Sequence, residues 1–299
     1  MKAGTVLISL FLITSFRRNR RTYIINSILL KPKKRSKLRI FAGRNYFTLK
    51  RYLWWYLGNT KFTKTKQDTE FSYTCFCHKS LLLRQLKDVD MYLQYNKIRN
   101  LKIAVNKLNH ILIRPGETFS YWKLIGKPTG KKGYTEGMIL FCGSVKSGIG
   151  GGLCQLSNLI YWMAVHTPLT IVERYRHSYD VFPDSDRTQP FGSGATCVYN
   201  YRDLMIKNET AMTFQLCLTI TETHLTGSIK SSVSPSYTYE VYEKEHRMDS
   251  EYWGGFSRHN ILYRKIYDMA GNLAADEYVT ENHALMMYNP FLAEKDSFT

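Results

Sequence analysis

The 299-residue chain carries 42 lysine and arginine residues against 24 aspartate and glutamate residues, a formal net charge of +18. Residues 1–66 contain 17 of the basic residues and no acidic residue, because the first carboxylate along the chain is that of Asp68. The remaining residues hold 25 basic and 24 acidic groups, so their net charge is close to zero. A nearly neutral body argues against a domain that reads nucleic acid, and 44 % hydrophobic residues exclude a chain that is disordered throughout.

Residues 1–66 are predicted to form a basic, aromatic-containing N-terminal arm. The apolar run at 5–16 is shorter than the roughly 20 residues that a membrane-spanning helix needs. The positive charge follows this run and no small-residue cleavage site appears, so an export signal is not predicted and we expect a cytoplasmic protein. The polybasic tract 31–39 and the aromatic segment RYLWWYLG at 51–58 are typical of chains that lie at a lipid headgroup boundary.

Two interpretations of the arm stay open. In the first, it attracts the protein to an anionic membrane surface, which makes the protein peripheral at the inner face of the membrane. In the second, the aromatic side chains pack on the body while the polybasic tract is solvated. Nucleic acid is not an expected partner under either interpretation, since the body that follows is not basic.

The body, residues 67–299, shows helical patterns followed by many short strands. Apolar residues at helical spacing predict a helix over 100–113, and the run 138–145 predicts a buried strand. The glycine-rich 148–152 leads into a second helical pattern at 153–166, which Pro168 stops. Strand patterns cover 71–77, 170–176, 195–200, 204–208, 213–220, 224–230, 237–242, 261–268 and 283–289. The predicted fold is α+β, with one prominent helix that starts at a Gly-rich loop and packs on a largely antiparallel sheet.

The start of that helix is the segment most indicative of chemistry. Gly150, Gly151 and Gly152 allow the backbone to turn sharply, and free N–H groups at a helix start favour an anionic ligand. Cys154 lies in the first turn, where a thiolate would be stabilised. The side-chain amide of Gln155, next to this thiol, could serve an oxyanion hole.

A histidine and an acid later in the chain could complete a thiol-enzyme site. His177 follows a predicted strand and could act as the base, and Asp203 or Glu173 could orient its imidazole. The order of cysteine, histidine and acid is that of papain-like and transglutaminase-like enzymes. The competing interpretation is a buried structural cysteine beside a tight glycine turn, because cysteine is among the most often buried residue types.

No metal site and no cofactor are predicted. The six cysteines are too few and too scattered for a disulfide scaffold, so reduced thiols are expected; they are Cys75, Cys77, Cys142, Cys154, Cys197 and Cys217. Cys75, Cys77 and His78 lack a second ligand pair at zinc-site spacing. His110 and His166 lie in helical patterns and are interpreted as hydrogen-bonded partners rather than ligands.

Several stretches together resemble the VanW family, named from the vancomycin B-type resistance cluster. They are RPGETFSYW (114–122), GYTEGM (133–138), GGGLCQLSNLIYW (150–162), HTPLTIVERYRHS (166–178), DLMIKNET (203–210) and the C-terminal RKIYD…ENHALMMYNP (264–290). The resemblance implies that residues 67–299 are a VanW-like domain with a strand-rich C-terminal extension. The cysteine and histidine of the family pattern fall on Cys154 and His177, and Gly152, Gln155 and Arg174 also coincide with it. Where members commonly read G-x-D-A-T, this chain has Gly194 in place of the acid.

The resemblance implies an accessory protein of the cell envelope and of glycopeptide resistance, from a family whose biochemical activity is not established. One hypothesis is a Cys–His thiol enzyme acting on peptidoglycan-related amides, with Cys154 as nucleophile, His177 as base and Asp203 as its orienting acid. The alternative is a non-catalytic module near the membrane surface that binds a peptidoglycan precursor or another anionic ligand. Gly150, Gly151, Gly152, Gln155 and Arg174 are the expected ligand-binding residues.

Overall fold

The computed structural model of the chain describes residues 36–83, 90–141, 143–181 and 189–290. In these ranges the helices are α1 (Lys37–Leu57), α2 (Met91–Leu108), α3 (Tyr121–Ile125) and α4 (Cys154–Val165), with a 3-10 turn at Gly130–Lys132. The strands are β1 (Tyr73–Leu81), β2 (Ile111–Ile113), β3 (Thr118–Ser120), β4 (Glu136–Phe141), β5 (Ser144–Ile149), β6 (Thr170–Glu173), β7 (Tyr179–Asp180), β8 (Met205–Lys207), β9 (Phe214–Ile220), β10 (His224–Ser231), β11 (Tyr237–Ser250), β12 (Phe256–Asp268) and β13 (Leu273–Met286).

The described strands form mostly antiparallel sheets. One sheet has the order β1-β10-β9-β2, a second has the order β11-β12-β13-β7, and a third has the order β3-β8-β6. The hairpin β4-β5 stands by itself, and the pairing of β13 with β7 is parallel. This arrangement confirms the predicted α+β class. The strands at Phe214–Ile220 and His224–Ser231 pair consecutively, as a meander would require, whereas β8 pairs with β3 and β6 rather than with β9.

Helix α4 packs on the first sheet, as the sequence predicts for a helix that follows the glycine-rich loop. Its apolar face is buried against β1 and β10, and Leu156, Leu159 and Met163 are at most 2 % exposed. The sheet comes close to the helix at Gly227, where an added Cβ atom would lie 2.8 Å from the Cε atom of Met163. Residues of α2, β3 and β8 continue the same apolar core.

Helix α2 ends before the sequence pattern does. The prediction of one helix over 100–113 is correct as far as Leu108 and wrong beyond it, because His110 has a φ of 62° and turns the chain. The apolar residues that continue the helical pattern then form β2, which pairs with β9. Backbone pairing with a distant strand therefore overrides the local periodicity.

Three strand predictions also change. The run 138–145 is a hairpin rather than one buried strand, since Gly143 reverses the chain with a φ of 78° and Ile139 is 37 % exposed. Strand β6 ends at Glu173, three residues before the predicted end. The pattern at 195–200 gives only an isolated bridge between Val198 and Arg202.

Helix α1 lies in the predicted arm, where no helix was expected. Among the described residues, those from Phe41 onward belong to one compact unit. The buried residues of α1 are Arg51 and Trp55, at 7 % and 5 % exposure. The division of the chain at residue 66 stays a prediction. No helix in the described ranges is both long and apolar enough to cross a membrane.

Candidate functional site

The glycine-rich loop is held by backbone hydrogen bonds. Gly150 and Gly152 have φ values of 77° and 88°, which residues with a Cβ atom rarely adopt. The N–H groups of Gly150, Gly151 and Gly152 donate to the carbonyl groups of Thr135, Gly148 and Met138 at 3.0, 3.0 and 2.9 Å. These three N–H groups are therefore engaged with the protein rather than directed at a ligand.

Asn100 of α2 fixes the same loop from the other side. Its Nδ2 atom donates to the carbonyl of Gly151 at 2.9 Å and to that of Thr135 at 3.0 Å, and its Oδ1 atom accepts from the N–H of Thr135 at 2.9 Å. Asn100 is fully buried, and its backbone partners lie immediately before β4 and in the glycine-rich loop. A Cβ atom on Gly151 would lie 2.1 Å from the carbonyl carbon of Gly137, so this position has no room for a larger residue.

Cys154 is the first residue of α4, as the sequence predicts. Its Sγ atom lies 3.8 Å from the carbonyl oxygen of Cys197, to which the thiol donates a weak hydrogen bond. Burial raises the pKa of Cys154, and the bond to the Cys197 carbonyl lowers it by less. The group is therefore a neutral thiol at neutral pH.

His177 lies just after β6 and makes no side-chain hydrogen bond within the described part of the chain. Burial lowers its pKa to about 4, and the nearby guanidinium groups of Arg176 and Arg202 add to this effect. The imidazole is neutral at physiological pH. A thiolate–imidazolium pair would require a lowered pKa for Cys154 and a raised pKa for His177, which is the opposite of both shifts.

Asp203 is fully buried and organises the backbone around α3. Its Oδ1 atom accepts from the N–H groups of Trp122 and Leu204, both at 2.9 Å, and its Oδ2 atom accepts from the hydroxyl of Ser120 at 2.5 Å. Burial raises its pKa to about 7, although these hydrogen bonds oppose the rise. The carboxylate thus contacts backbone and hydroxyl groups, and no hydrogen bond joins it to His177 in the described ranges.

Gln155 and Arg174 hold separate segments together. The Nε2 atom of Gln155 donates to the hydroxyl of Ser80 at 2.9 Å and to the carbonyl of Leu81 at 2.8 Å, which links α4 to the end of β1. The guanidinium of Arg174 donates to the carbonyl groups of Gly192 and Gly194. The same group donates to side chains of β13, Thr280 at 3.1 Å and Asn282 at 2.9 Å.

Gly194, which stands where the family commonly has an acid, lies directly beside Asn158. An added Cβ atom would be 2.6 Å from the Oδ1 atom of Asn158, and that oxygen accepts the N–H of Ala195 at 2.8 Å. Asn158 is one helical turn after Cys154. The space that a side chain at position 194 would need is therefore taken by an amide of α4.

A cavity of about 470 Å³ lies between the chain after β6 and strand β13. Its lining includes Tyr161, Arg174, Tyr175, Arg176, Glu281 and His283. The lining holds two guanidinium groups and one carboxylate, so its net charge favours a ligand with a negative charge, while the donors of Arg174 are bonded within the protein. The ring of Tyr161 lies under the guanidinium of Arg174, with 4.7 Å between the Cζ atom and the ring centroid.

Sequence reasoning missed three residues that shape this region: Asn100, Tyr121 and Asn158. The hydroxyl of Tyr121 donates to the carbonyl of Leu153 at 2.9 Å and so braces the start of α4. For Asn100, a polar residue on the buried face of an apolar helical pattern was the available signal, since such residues are buried with a partner. Tyr121 and Asn158 lie in the stretches 114–122 and 150–162 that resemble the family, but no local pattern assigns either residue a role.

Comparison with known proteins gives two relatives and a family. The chain is 33 % identical over 180 residues to the vancomycin B-type resistance protein VanW of Enterococcus faecalis, a match that covers 60 % of this chain and 66 % of that protein. It is 31 % identical over 116 residues to the uncharacterized protein YoaR of Bacillus subtilis, covering 38 % of this chain and 37 % of YoaR. The chain thus covers just under two thirds of the length of VanW and little more than a third of the length of YoaR.

No solved structure gave a significant match. The family model described as "VanW like protein" matches residues 96–230, which include α2, the glycine-rich loop, α4 and the strands up to β10. The same range contains the stretches from 114 to 210 on which the resemblance rested. Residues 96–230 of this chain therefore form a domain of the VanW-like protein family.

Proposed function

We propose that this chain is an accessory protein of the cell envelope that acts in glycopeptide resistance by binding a peptidoglycan-related peptide without catalysis. The observation that carries this proposal is the cavity between the chain after β6 and β13, whose aromatic and cationic lining suits a peptide that bears a carboxylate. The name of the E. faecalis relative supports the resistance context.

The state of Cys154 and His177 favours binding over thiol catalysis. A cysteine nucleophile acts as a thiolate, yet burial raises the pKa of Cys154 and lowers that of His177 to about 4. The thiol enzyme remains the second candidate, because Cys154 begins α4 and no hydrogen bond to its backbone N–H is found in the described ranges. Such an N–H could stabilise an oxyanion.

Titration of a synthetic peptidoglycan stem pentapeptide by calorimetry tests the binding proposal. Tyr175 lines the cavity, so the variant Tyr175→Ala should bind the peptide at least about tenfold more weakly, a loss of about 1.4 kcal/mol. Tyr252→Ala removes an 84 % exposed tyrosine outside the lining and is the matched control. The absence of binding by the parent protein, or equal affinities of the two variants, would refute the proposal.

The rate of Cys154 alkylation against pH separates the two candidates. We expect an inflection above the ordinary cysteine range, because burial raises the pKa of this thiol. The exposed Cys77 serves as the control for reagent quality, and Cys154→Ser should keep the peptide affinity of the parent. An inflection below pH 7, together with amidase turnover that Cys154→Ala abolishes, would instead establish the thiol enzyme.

We also propose that α1 attaches the protein to an anionic membrane surface at the inner face of the membrane. The helix has no acidic residue, and several of its large apolar side chains are about half exposed or more: Phe41, Phe47, Leu49, Leu53 and Leu57. Exposed apolar side chains interleaved with Arg44 and Lys50 suit a headgroup boundary.

Co-sedimentation with vesicles of phosphatidylcholine containing phosphatidylserine tests this attachment. The double variant Arg44→Glu/Lys50→Glu should lose binding and should do so without unfolding, because both residues are exposed. Lys127→Glu/Lys131→Glu makes the same charge change at exposed positions outside the helix and should bind as the parent does. Equal losses in both double variants would point to net charge alone rather than to α1.

A further inference from the structure

Three side chains with metal-binding atoms lie close together, and none of the three is among the residues that line the cavity. Glu70 precedes β1, His110 follows α2, and Cys217 lies on β9. One ligand atom from each residue, a carboxylate oxygen, a ring nitrogen and the Sγ atom, lies within 4.8 Å of the other two. No sequence motif indicates this set, because its members are separated by 40 and 107 residues.

The backbone fixes His110 at this position. Its φ of 62° is uncommon for a residue with a Cβ atom, and its N–H donates to the carbonyl of Leu216 at 2.8 Å. Its own carbonyl accepts the N–H of Gln67 at 3.0 Å. The backbone of His110 is therefore held between the residue next to Cys217 and the segment that leads to Glu70.

Cys217 is buried and His110 is half-buried, and one ring nitrogen of His110 has no hydrogen bond among the described residues. The Nδ1 atom of His110 is buried with no hydrogen bond among the described residues, and Cys217 is 7 % exposed. Buried polar atoms are nearly always satisfied, and an absent ion is one of the standard reasons for an exception. Glu70 is exposed, and its Oε2 atom lies 2.6 Å from the Nζ atom of Lys230.

We propose that Glu70, His110 and Cys217 bind a zinc-class divalent cation. Thiolate, imidazole and carboxylate are the ligand types that zinc takes, at about 2.3 Å for sulfur and about 2.0–2.2 Å for nitrogen and oxygen. Such bonds put ligand atoms roughly 3.3–3.8 Å apart in a tetrahedral site, so a contraction of at most about 1–1.5 Å completes the geometry. Water from the side of the exposed Glu70 takes the fourth position.

The charges balance when the cation binds. The thiol of Cys217 releases its proton to solvent, and the resulting thiolate and the carboxylate of Glu70 together neutralise a divalent ion. The Nζ atom of Lys230 lies 2.6 Å from the Oε2 atom of Glu70 and holds this carboxylate in place. The bound ion links the segment before β1, the α2–β2 junction and β9, which are three parts of the chain that meet only in the folded protein.

Metal content and cobalt spectroscopy of the full-length protein test the site. After exposure to zinc and desalting, the parent should retain one equivalent more than Cys217→Ser, and cobalt should give the near-ultraviolet absorption of a thiolate–cobalt bond. His110→Asn keeps a residue that tolerates a positive φ while removing the imidazole, and it should weaken zinc binding roughly 100-fold or more.

Cys77→Ser removes an exposed cysteine of β1 and is the matched control for adventitious thiol binding. The proposal holds if Cys77→Ser keeps the cobalt band and the zinc-dependent rise in melting temperature while Cys217→Ser loses both. Circular dichroism of each variant without metal establishes that the fold is retained. Zinc content that is equal in the parent and Cys217→Ser, or a parent that binds no zinc, would overturn it.

Discussion

Among single residues, Asp203 shows how burial sets the behaviour of a candidate catalytic group. Its carboxyl group accepts three hydrogen bonds, from Ser120, Trp122 and Leu204, and none of these donors is part of a proton-transfer chain. Burial nevertheless raises its pKa to about 7, since removal from water outweighs the donors. The residue predicted to orient His177 therefore has a structural environment in which its charged form is unfavourable.

This pKa predicts a pH-dependent loss of stability that Asp203→Asn should remove. The unfolded chain ionises near pH 3.8 and the native state near pH 7, so unfolding releases a proton between these values and stability falls as pH rises through that window. From pH 4 to 7.5 the parent should lose up to about 4 kcal/mol relative to Asp203→Asn. The amide oxygen can still accept from Trp122 and Leu204, because both donate to one oxygen.

Urea unfolding of the two proteins at several pH values measures this difference. Asp68→Asn, at an exposed position, is the control for removing one carboxylate. A stability difference between parent and Asp203→Asn that is constant from pH 4 to 7.5 would show that Asp203 is ionised at all of these values. Asp203 would then again be a candidate for the acid that orients His177.

Among the elements, the glycine-rich loop is a packing device at the start of α4. Gly151 lies against the backbone of Gly137, and Gly152 lies against the side chain of Lys97. With Asn100 bonded to both the loop and Thr135, these contacts join α2, the β4-β5 hairpin and α4. The three glycines thus allow these chain segments to approach each other closely, because a Cβ atom at any of them would collide with a neighbouring segment.

Gly152→Ala should therefore destabilise the protein by about 2–4 kcal/mol. Its φ of 88° is strained for alanine, and the added Cβ atom would lie 2.2 Å from the Cγ atom of Lys97. Gly130→Ala is the matched control, because no atom lies within 4 Å of its added Cβ and it should change stability by no more than about 0.5 kcal/mol. Equal midpoints in chemical denaturation for the two variants would contradict this account.

At the scale of the whole molecule, α1 is tied to β6 by a buried ion pair. The guanidinium of Arg51 donates two hydrogen bonds to the carboxylate of Glu173, at 2.5 and 2.7 Å. Glu173 also accepts the N–H of Asp203 at 3.0 Å. The basic residue beside the aromatic segment, which the sequence assigned to the arm, is therefore part of the packed structure.

Arg51→Met should cost about 3–5 kcal/mol, because it leaves the carboxylate of Glu173 buried without its counterion. Lys50→Met removes the neighbouring exposed charge and should stay within about 0.5 kcal/mol of the parent. Thermal unfolding with the double variant Arg51→Met/Glu173→Met, which should recover part of the loss, distinguishes the ion pair from a packing effect. If Arg51→Met were as stable as Lys50→Met, the ion pair between Arg51 and Glu173 would not stabilise the protein.

Local patterns determined a large part of this protein. The apolar spacing at 153–166 placed α4 and its buried face, and the alternation after residue 213 placed the consecutive strands, because both depend on neighbours within one element. The stretches around Gly152 and Cys154 also indicated the resemblance to the VanW family. The concentration of positive charge before Asp68 is likewise a property of the sequence alone, and it led to the membrane proposal.

Only the tertiary structure decided which side chains meet. The engagement of the glycine N–H groups, the turn at His110 that ends α2, and the contact of Asp203 with Ser120 all depend on segments that pair across long stretches of chain. So do the pKa values of Cys154 and His177, because burial, their largest cause, comes from the whole fold. The charge that defined the arm in the sequence therefore includes Arg51, which folding removes from solvent and pairs with Glu173.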